Sequence, residues 1–107
     1  MHGRPPDVEA RITFLRTGEG GRENAVRSGY RPQFYYRGED HDAVHEYPEA
    51  ARVAPGETAT VLLHFLHPEL LANIDAGEEF EIREGVQTVA RGVITRILNL
   101  KENAAST

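Results

Sequence analysis

The chain has 107 residues, a net charge of −5 and no cysteine, and this combination excludes several classes of protein. A length near 100 residues predicts a single domain. The lack of cysteine excludes disulfides, thiol chemistry and cysteine-based zinc sites, and it favours a cytoplasmic location. No apolar run is long enough for a membrane-spanning helix, and the first six residues lack the apolar region of a signal peptide.

The acidic net charge argues against general nucleic-acid binding, because nonspecific affinity comes largely from neutralised phosphates. The cations are eleven arginines and one lysine. One local group of arginines stands out, within sixteen residues: Arg22, Arg27, Arg31 and Arg37. A basic patch is therefore expected only there.

In chain order, residues 1–6 are predicted to be a disordered lead, since two prolines and a glycine offer little to pack. A period of two over 7–16 predicts the first strand, with one face in the core. That face consists of Val8, Ala10, Ile12 and Phe14. The glycine-rich residues 17–21 end the strand as a turn.

The middle of the chain is predicted to be less regular. Residues 22–30 form a polar connection, and a second strand covers 32–37, with Pro32 at its start. Residues 38–50 are acidic and bracketed by glycine and proline, so a long loop is expected, and loops of that length are often functional. A short strand over 51–53 then precedes the proline–glycine turn at 54–57.

The second half contains the clearest pattern, a strand over 58–66 with Ala59, Val61, Leu63 and Phe65 on one face. Residues 68–72 predict one helical turn that starts at a proline. Two further strands are expected, over 79–84 with Phe80 and Ile82 inward, and over 87–98.

In the last of these strands the alternation slips near Gly92, which predicts a β-bulge. Residues 99–107 are predicted to be a flexible tail. Six short strands with no long amphipathic helix indicate an all-β sandwich or barrel over 7–98. A closed barrel would remove exposed strand edges.

Catalytic motifs are missing from the sequence. There is no P-loop pattern, and the only lysine is Lys101, so we expect no nucleotide binding by this chain. The only serines are Ser28 and Ser106, and no histidine is near Ser28 in sequence. We predict no enzyme activity, no catalytic residue and no cofactor.

His41 and His45 are four residues apart beside three carboxylates, a spacing that would place two imidazoles on one face of a helix. Because Gly38 and Pro48 favour a loop instead, a solvated loop is preferred over a metal site. We predict no metal. His64 is expected to face solvent from its strand.

The aromatic stretch over 28–37 supports two interpretations. As structure, Gly29 allows a tight entry, Pro32 begins the strand, and one set of aromatic rings packs inward. As a binding surface, Arg31 and Gln33 present planar donors that suit phosphate, ribose or a peptide backbone.

Together with later parts of the chain, this stretch resembles the third, C-terminal domain of bacterial elongation factor Tu. The resemblance covers about residues 7–98. Its anchor points occur in order along the chain: Glu19 to Arg22, Gly29 to Arg37, Val53 to Glu57, Phe80 to Gly85, Thr88-Val89 and Gly92-Val93. The resemblance implies a six-stranded antiparallel Greek-key barrel. No segment here resembles the GTPase domain of that factor.

In that family the barrel contacts the T-stem of aminoacyl-tRNA, by shape and 2′-hydroxyl readout. The resemblance assigns RNA binding to Arg22, Gln33 and Glu84, with Arg31 and Arg37 as supporting residues. A threonine of the family's contact surface corresponds to Asp42 here, and Ala90-Arg91 replace the usual Gly-Ala.

Two hypotheses follow from the resemblance. The first is a noncatalytic, translation-factor-like module that binds tRNA or another structured RNA. The second is a protein–protein interaction module that engages a component of the translation machinery, with the acidic loop over 38–50 supplying specificity by charge. Neither requires a membrane or a bound nucleotide.

Overall fold

A computed structural model describes residues 4–107 as a closed barrel of six antiparallel strands. The strands are β1 (Val8–Phe14), β2 (Gln33–Tyr36), β3 (Glu39–Glu46), β4 (Thr58–Phe65), β5 (Glu79–Glu84) and β6 (Gln87–Ile97). Short 3₁₀ turns cover Thr17–Glu19 and Pro68–Leu71, and one helix, α1, covers Leu100–Ala105. The predicted fold class is confirmed.

The strand order around the barrel is β1-β4-β3-β2-β5-β6, and β1 closes it by pairing with β6. Strands β2, β3 and β4 are neighbours in sequence and in space, and β4 lies beside β1. A long connection, residues 15–32, therefore crosses one end of the barrel between β1 and β2. This arrangement is a Greek key.

The core follows the predicted alternation on β1, β4 and β5. The four inward residues predicted for β1 are buried, as are Val61, Leu63 and Phe65 of β4 and Phe80 and Ile82 of β5. Phe34 of β2 lies at the centre, with its ring centroid 4.5 Å from that of Phe80 and 4.9 Å from that of Phe65. These three rings join opposite walls of the barrel.

The prediction of a long loop over 38–50 is wrong, because β3 occupies most of this range. Arg37 and Gly38, with φ of 50° and 81°, form a two-residue hairpin turn between β2 and β3. The short strand predicted over 51–53 is reduced to a single bridge between Val53 and Val26. The count of six strands was therefore correct, but it included the wrong third strand.

The predicted β-bulge near Gly92 is displaced along the strand. The ladders of β6 shift register at Val89, opposite β5, and at Thr95, opposite β1. Gly92 has a different role: a Cβ there would lie 2.4 Å from the Phe80 ring and 2.9 Å from Ile12. Glycine leaves the space that the Phe80 ring needs in the core.

The two terminal segments are tied together by a buried carboxylate, Asp7, which is only 2% exposed. One of its oxygens accepts a hydrogen bond from the Phe65 amide, and the other accepts one from Asn103 Nδ2, each at 2.7 Å. Asn103 and the fully buried Leu100 belong to α1. Residues 99–107 therefore contain a packed helix where we had expected a flexible tail.

The predicted disordered lead, residues 1–6, lies partly outside the described residues. Within them, Arg4 donates a hydrogen bond to the Phe65 carbonyl at 3.1 Å. The carbonyls of Pro5 and Pro6 accept hydrogen bonds from the side chains of Asn103 and Asn99. Residues 4–6 are therefore held against β4 and α1 rather than free.

Candidate nucleic-acid interface

Two of the predicted RNA-binding residues, Arg22 and Glu84, are 62 positions apart in sequence and in direct contact in the structure. Arg22 Nε donates to Glu84 Oε2 at 2.6 Å, and Arg22 also donates to the Asn24 carbonyl at 2.6 Å. The Tyr30 hydroxyl donates to the same Glu84 oxygen at 2.5 Å. The long connection brings Arg22 and Tyr30 over the end of β5, where Glu84 is placed.

The Arg22–Tyr30–Glu84 cluster is only partly shielded from solvent. The side chains of Arg22 and Glu84 are 25% and 40% exposed. Partial burial works against the charged guanidinium, but the hydrogen bond and charge of Glu84 raise the pKa of Arg22. Burial, with the hydrogen bond to Glu84, raises the pKa of Tyr30. The cluster therefore presents a cation, a neutral hydroxyl and a carboxylate at one rim of the barrel.

Gln33 lies next to this cluster, on the outer face of β2. It is paired in register with Arg83, the residue before Glu84, and with Asp42 on β3. Gln33 Nε2 donates to Asp42 Oδ1 at 2.9 Å. Asp42, which by the resemblance corresponds to a threonine of the family, therefore holds the amide side chain of Gln33, a predicted RNA contact.

The face beside Gln33 carries a stacked pair that the sequence analysis did not single out. The Arg83 guanidinium lies 3.6 Å from the centre of the Tyr35 ring. Arg83 also pairs with Glu81, which accepts a second hydrogen bond from Thr88 at 2.7 Å. The hydrogen bond from Thr88, opposed by burial and assisted by Arg83, lowers the pKa of Glu81. Only the strand register could have revealed this grouping.

The supporting residues Arg31 and Arg37 do not join the cluster. Arg37 follows the far end of β2 and pairs with Glu78 at 2.9 Å. Arg31 is exposed and lines a separate groove with Arg4, Val44 and His64. The four arginines that are close together in sequence therefore do not form one patch.

The two histidines predicted to lie in a loop are instead on β3, whose extended backbone keeps them apart. His41 and His45 are four residues apart on β3, a separation of roughly 13 Å at the rise of a strand. His45 is fully buried, and its Nδ1 lies 2.9 Å from the Tyr47 hydroxyl. Within residues 4–107 no group of three or more His, Asp or Glu side chains is placed to hold a metal ion.

The expectation that His64 faces solvent is also wrong. Its side chain is only 12% exposed, and Nε2 lies 2.9 Å from Glu46 Oε1. His64 is on β4 beside β3, where it is paired with Val44. His64 and Val44 line the same groove as Arg4 and Arg31.

The topology and the polar rim together define a six-stranded Greek-key β-barrel domain of the kind found in translation factors. The family described as elongation factor Tu C-terminal domain matches residues 5–98. The chain belongs to that family, as the anchor residues had indicated. No helix in the described part of the chain is long and apolar enough to cross a membrane.

Proposed function

We propose that this domain is a noncatalytic binding module for tRNA or another structured RNA. The contact surface is the rim formed by Arg22, Tyr30 and Glu84, extended by Gln33 on the adjoining face. A-form RNA presents 2′-hydroxyls and phosphates in its shallow groove, and these are read by hydrogen-bond donors and acceptors in fixed positions. The rim offers both kinds of group.

The observation that carries the proposal is the convergence of the residues that the family resemblance assigns to RNA. Arg22 and Glu84 come from opposite halves of the sequence and meet at 2.6 Å. Gln33 is one register position away from Glu84, beside Arg83. The ion pair holds the guanidinium in one orientation while part of it stays accessible.

The electrostatics of the domain limit the affinity that we expect. The net charge is −5, and Asp42 lies against Gln33 on the proposed surface. Few phosphates can be neutralised, so binding depends on 2′-hydroxyl and shape contacts and weakens as salt rises. We expect detectable binding at low salt and a strong preference for folded RNA.

The test compares the wild-type domain with Arg22→Ala in a filter-binding or anisotropy titration against unmodified tRNA at low salt. We expect Arg22→Ala to weaken binding by roughly tenfold, the scale of one charge-assisted contact. Arg96→Ala is the matched control, since Arg96 is also ion-paired, to Glu9 at 3.9 Å, but lies near the far end of β6. If the wild type has no tRNA affinity, or both variants behave alike, the proposal fails.

A second candidate function is protein–protein interaction, favoured by exposed acidic and apolar groups outside the Arg22–Tyr30–Glu84 cluster. The start of β3 is acidic and exposed, with Glu39, Asp40 and Asp42 outside the barrel. Val86, at the tip of the β5–β6 hairpin, is 94% exposed. A row of exposed carboxylates suits a basic protein partner of the translation machinery, and an exposed apolar side chain is a common contact at protein interfaces.

These two functions give different results in one affinity purification that identifies both RNA and protein. A protein that stays bound to the purified domain after nuclease treatment, and is lost with an Asp40→Asn/Val86→Ser variant, favours a protein partner. Capture that nuclease abolishes favours RNA. The cytoplasmic location stays a prediction drawn from the missing cysteines.

A further inference from the structure

A groove of about 670 Å³ lies on the side of the barrel, and its lining includes no residue of the Arg22–Tyr30–Glu84 cluster. Arginines from three separate parts of the chain line it: Arg11 of β1, Arg37 of the β2–β3 turn, and Arg91 of β6. The sequence gives no sign of this grouping, because Arg11 and Arg91 are 80 positions apart. We call it the lateral groove.

The strand register fixes how the two strand arginines lie. Arg91 is opposite Thr13, and Arg11 is opposite Val93, so the two arginines are diagonal neighbours on the outer face. Diagonal neighbours on paired strands are roughly 7–8 Å apart. Two long side chains at that spacing can reach neighbouring phosphates of one strand.

These two cations differ from most other arginines of the barrel wall. Both are exposed, and neither forms an ion pair within 4.0 Å among residues 4–107. Arg11 donates only a long hydrogen bond, 3.5 Å, to the Thr60 hydroxyl. Arg83, Arg37 and Arg96 are each paired with a glutamate instead. Arg11 and Arg91 are therefore available to an external anion.

The other polar groups of the lateral groove are compatible with a phosphate backbone. Thr13 and Thr58 present paired hydroxyls, 2.8 Å apart, in the same row as Arg91. Glu81 accepts hydrogen bonds from Thr88 and from Arg83, whose positive charge offsets its own, and Arg91, opposite Glu81 in the ladder, also interacts with its charge. Glu79 is the one lining carboxylate within the described residues with no such partner, and it opposes an anion.

The lateral groove is continuous with the proposed RNA-binding rim. In the β-ladders, Arg91 lies opposite Glu81, and Glu81 lies opposite Tyr35. Tyr35 is two residues from Gln33 on β2. Along β6, Arg91 is four residues from Gln87, which is opposite Glu84. That distance is roughly 13 Å at the rise of a strand.

We propose that the lateral groove is a second contact site for the RNA sugar-phosphate backbone, with Arg11 and Arg91 neutralising phosphates of the strand that leaves the rim. This inference rests on the proposed function. It predicts a footprint across β5, β6 and β1 as well as the rim. It also explains how an acidic domain can bind a polyanion with a local cationic track.

The experiment is a tRNA titration at several salt concentrations with Arg11→Gln/Arg91→Gln. We expect binding at low salt to weaken roughly 5- to 30-fold and the slope of log K against log salt to become shallower by roughly 1–2, since two phosphate contacts are lost. Arg11→Lys/Arg91→Lys should restore most of the affinity, because a phosphate accepts a point charge. Glu79→Gln should tighten binding. Arg96→Gln is the control for a lost surface charge.

The outcomes separate this inference from the proposed function. If Arg22→Ala weakens binding while Arg11→Gln/Arg91→Gln leaves affinity and slope unchanged, the rim binds RNA and the lateral groove does not. If the wild type binds no RNA, the proposed function fails and this inference fails with it. If the double variant instead loses capture of an acidic protein, the lateral groove is a protein-binding site and the inference is overturned.

Discussion

Two polar clusters, at opposite ends of the barrel, connect residues that are far apart in sequence, and they differ in burial. The Asp7 cluster joins the start of β1 to β4 and α1, and its carboxylate is 2% exposed with both oxygens occupied. The Arg22–Tyr30–Glu84 cluster joins the long connection to the end of β5, and its charges remain partly in water.

This difference separates a structural role from a binding role. A buried carboxylate with saturated hydrogen bonds stabilises the fold, because any loss leaves unsatisfied donors in the interior. A half-exposed ion pair contributes little to stability, since solvent screens it. Its value is in holding a guanidinium and a carboxylate in a fixed arrangement at the surface.

The largest effect is expected from Asp7→Ala. The change removes the acceptor for the Phe65 amide and for Asn103 Nδ2 and leaves both donors buried. We expect the free energy of unfolding to fall by about 3–5 kcal/mol. Urea unfolding followed by circular dichroism measures this, with Asp75→Ala in an exposed turn as control. A loss under about 1 kcal/mol would remove the contrast between the two ends.

Gly92→Ala tests the tight packing inside the barrel. The new methyl group would lie 2.4 Å from the Phe80 ring, so the core must shift. We expect destabilisation of roughly 1–3 kcal/mol, typical of an overpacked core. Phe80→Leu in the same chain should recover part of the loss, measured as a coupling energy in a double-mutant cycle. Additive effects would show that Phe80 is not the obstacle.

The buried His45 predicts a pH dependence of stability. Burial lowers its pKa from 6.5 to about 3, so the folded state resists protonation while the unfolded state takes up a proton near 6.5. The free energy of unfolding should therefore fall as pH drops from 7.5 to 5, by roughly 2 kcal/mol from this group.

His45→Phe/Tyr47→Phe should flatten this dependence, because it removes the imidazole and its hydroxyl partner together. His67→Gln is the control, since His67 is 62% exposed. Denaturant titrations at both pH values measure the difference. An equal slope in wild type and the double variant would mean that other groups dominate the pH response.

The smallest effect on stability is expected from Glu84→Gln. The Arg22 pair is half-exposed, so unfolding should change by less than about 1 kcal/mol. Affinity for tRNA should nevertheless fall, since Arg22 loses its fixed orientation. Thermal unfolding and anisotropy on the same samples check both parts. A large loss of stability with unchanged binding would assign this cluster a structural role.

The sequence predicted the barrel because alternation is clear on β1, β4 and β5, where one face is buried and the other is not. It missed β3 because Glu39–Glu46 begins with four polar residues and then buries three in succession, Ala43 to His45. Neither part alternates. The hairpin turn was also hidden, since Arg37 adopts a positive φ that is uncommon outside glycine.

The candidate site could be predicted only in part. The resemblance indicated Arg22, Gln33 and Glu84, but the residues alone gave no reason to pair positions 62 apart. The shared role of Tyr30 and the grouping of Arg11 with Arg91 depend on strand register, which the pattern of apolar residues does not specify across the barrel. Helix α1 was missed because its packing depends on two residues, Leu100 and Asn103, in a polar segment.

The most direct test of the RNA-binding rim is a two-dimensional NMR titration of the labelled domain with unmodified tRNA at low salt. We predict that amide signals of Arg22, Tyr30, Gln33 and Glu84 shift or broaden first, while those around Asp7 and Asn103 at the opposite end stay unchanged. Unperturbed signals at the rim, or changes confined to the Asp7 end, would contradict the account.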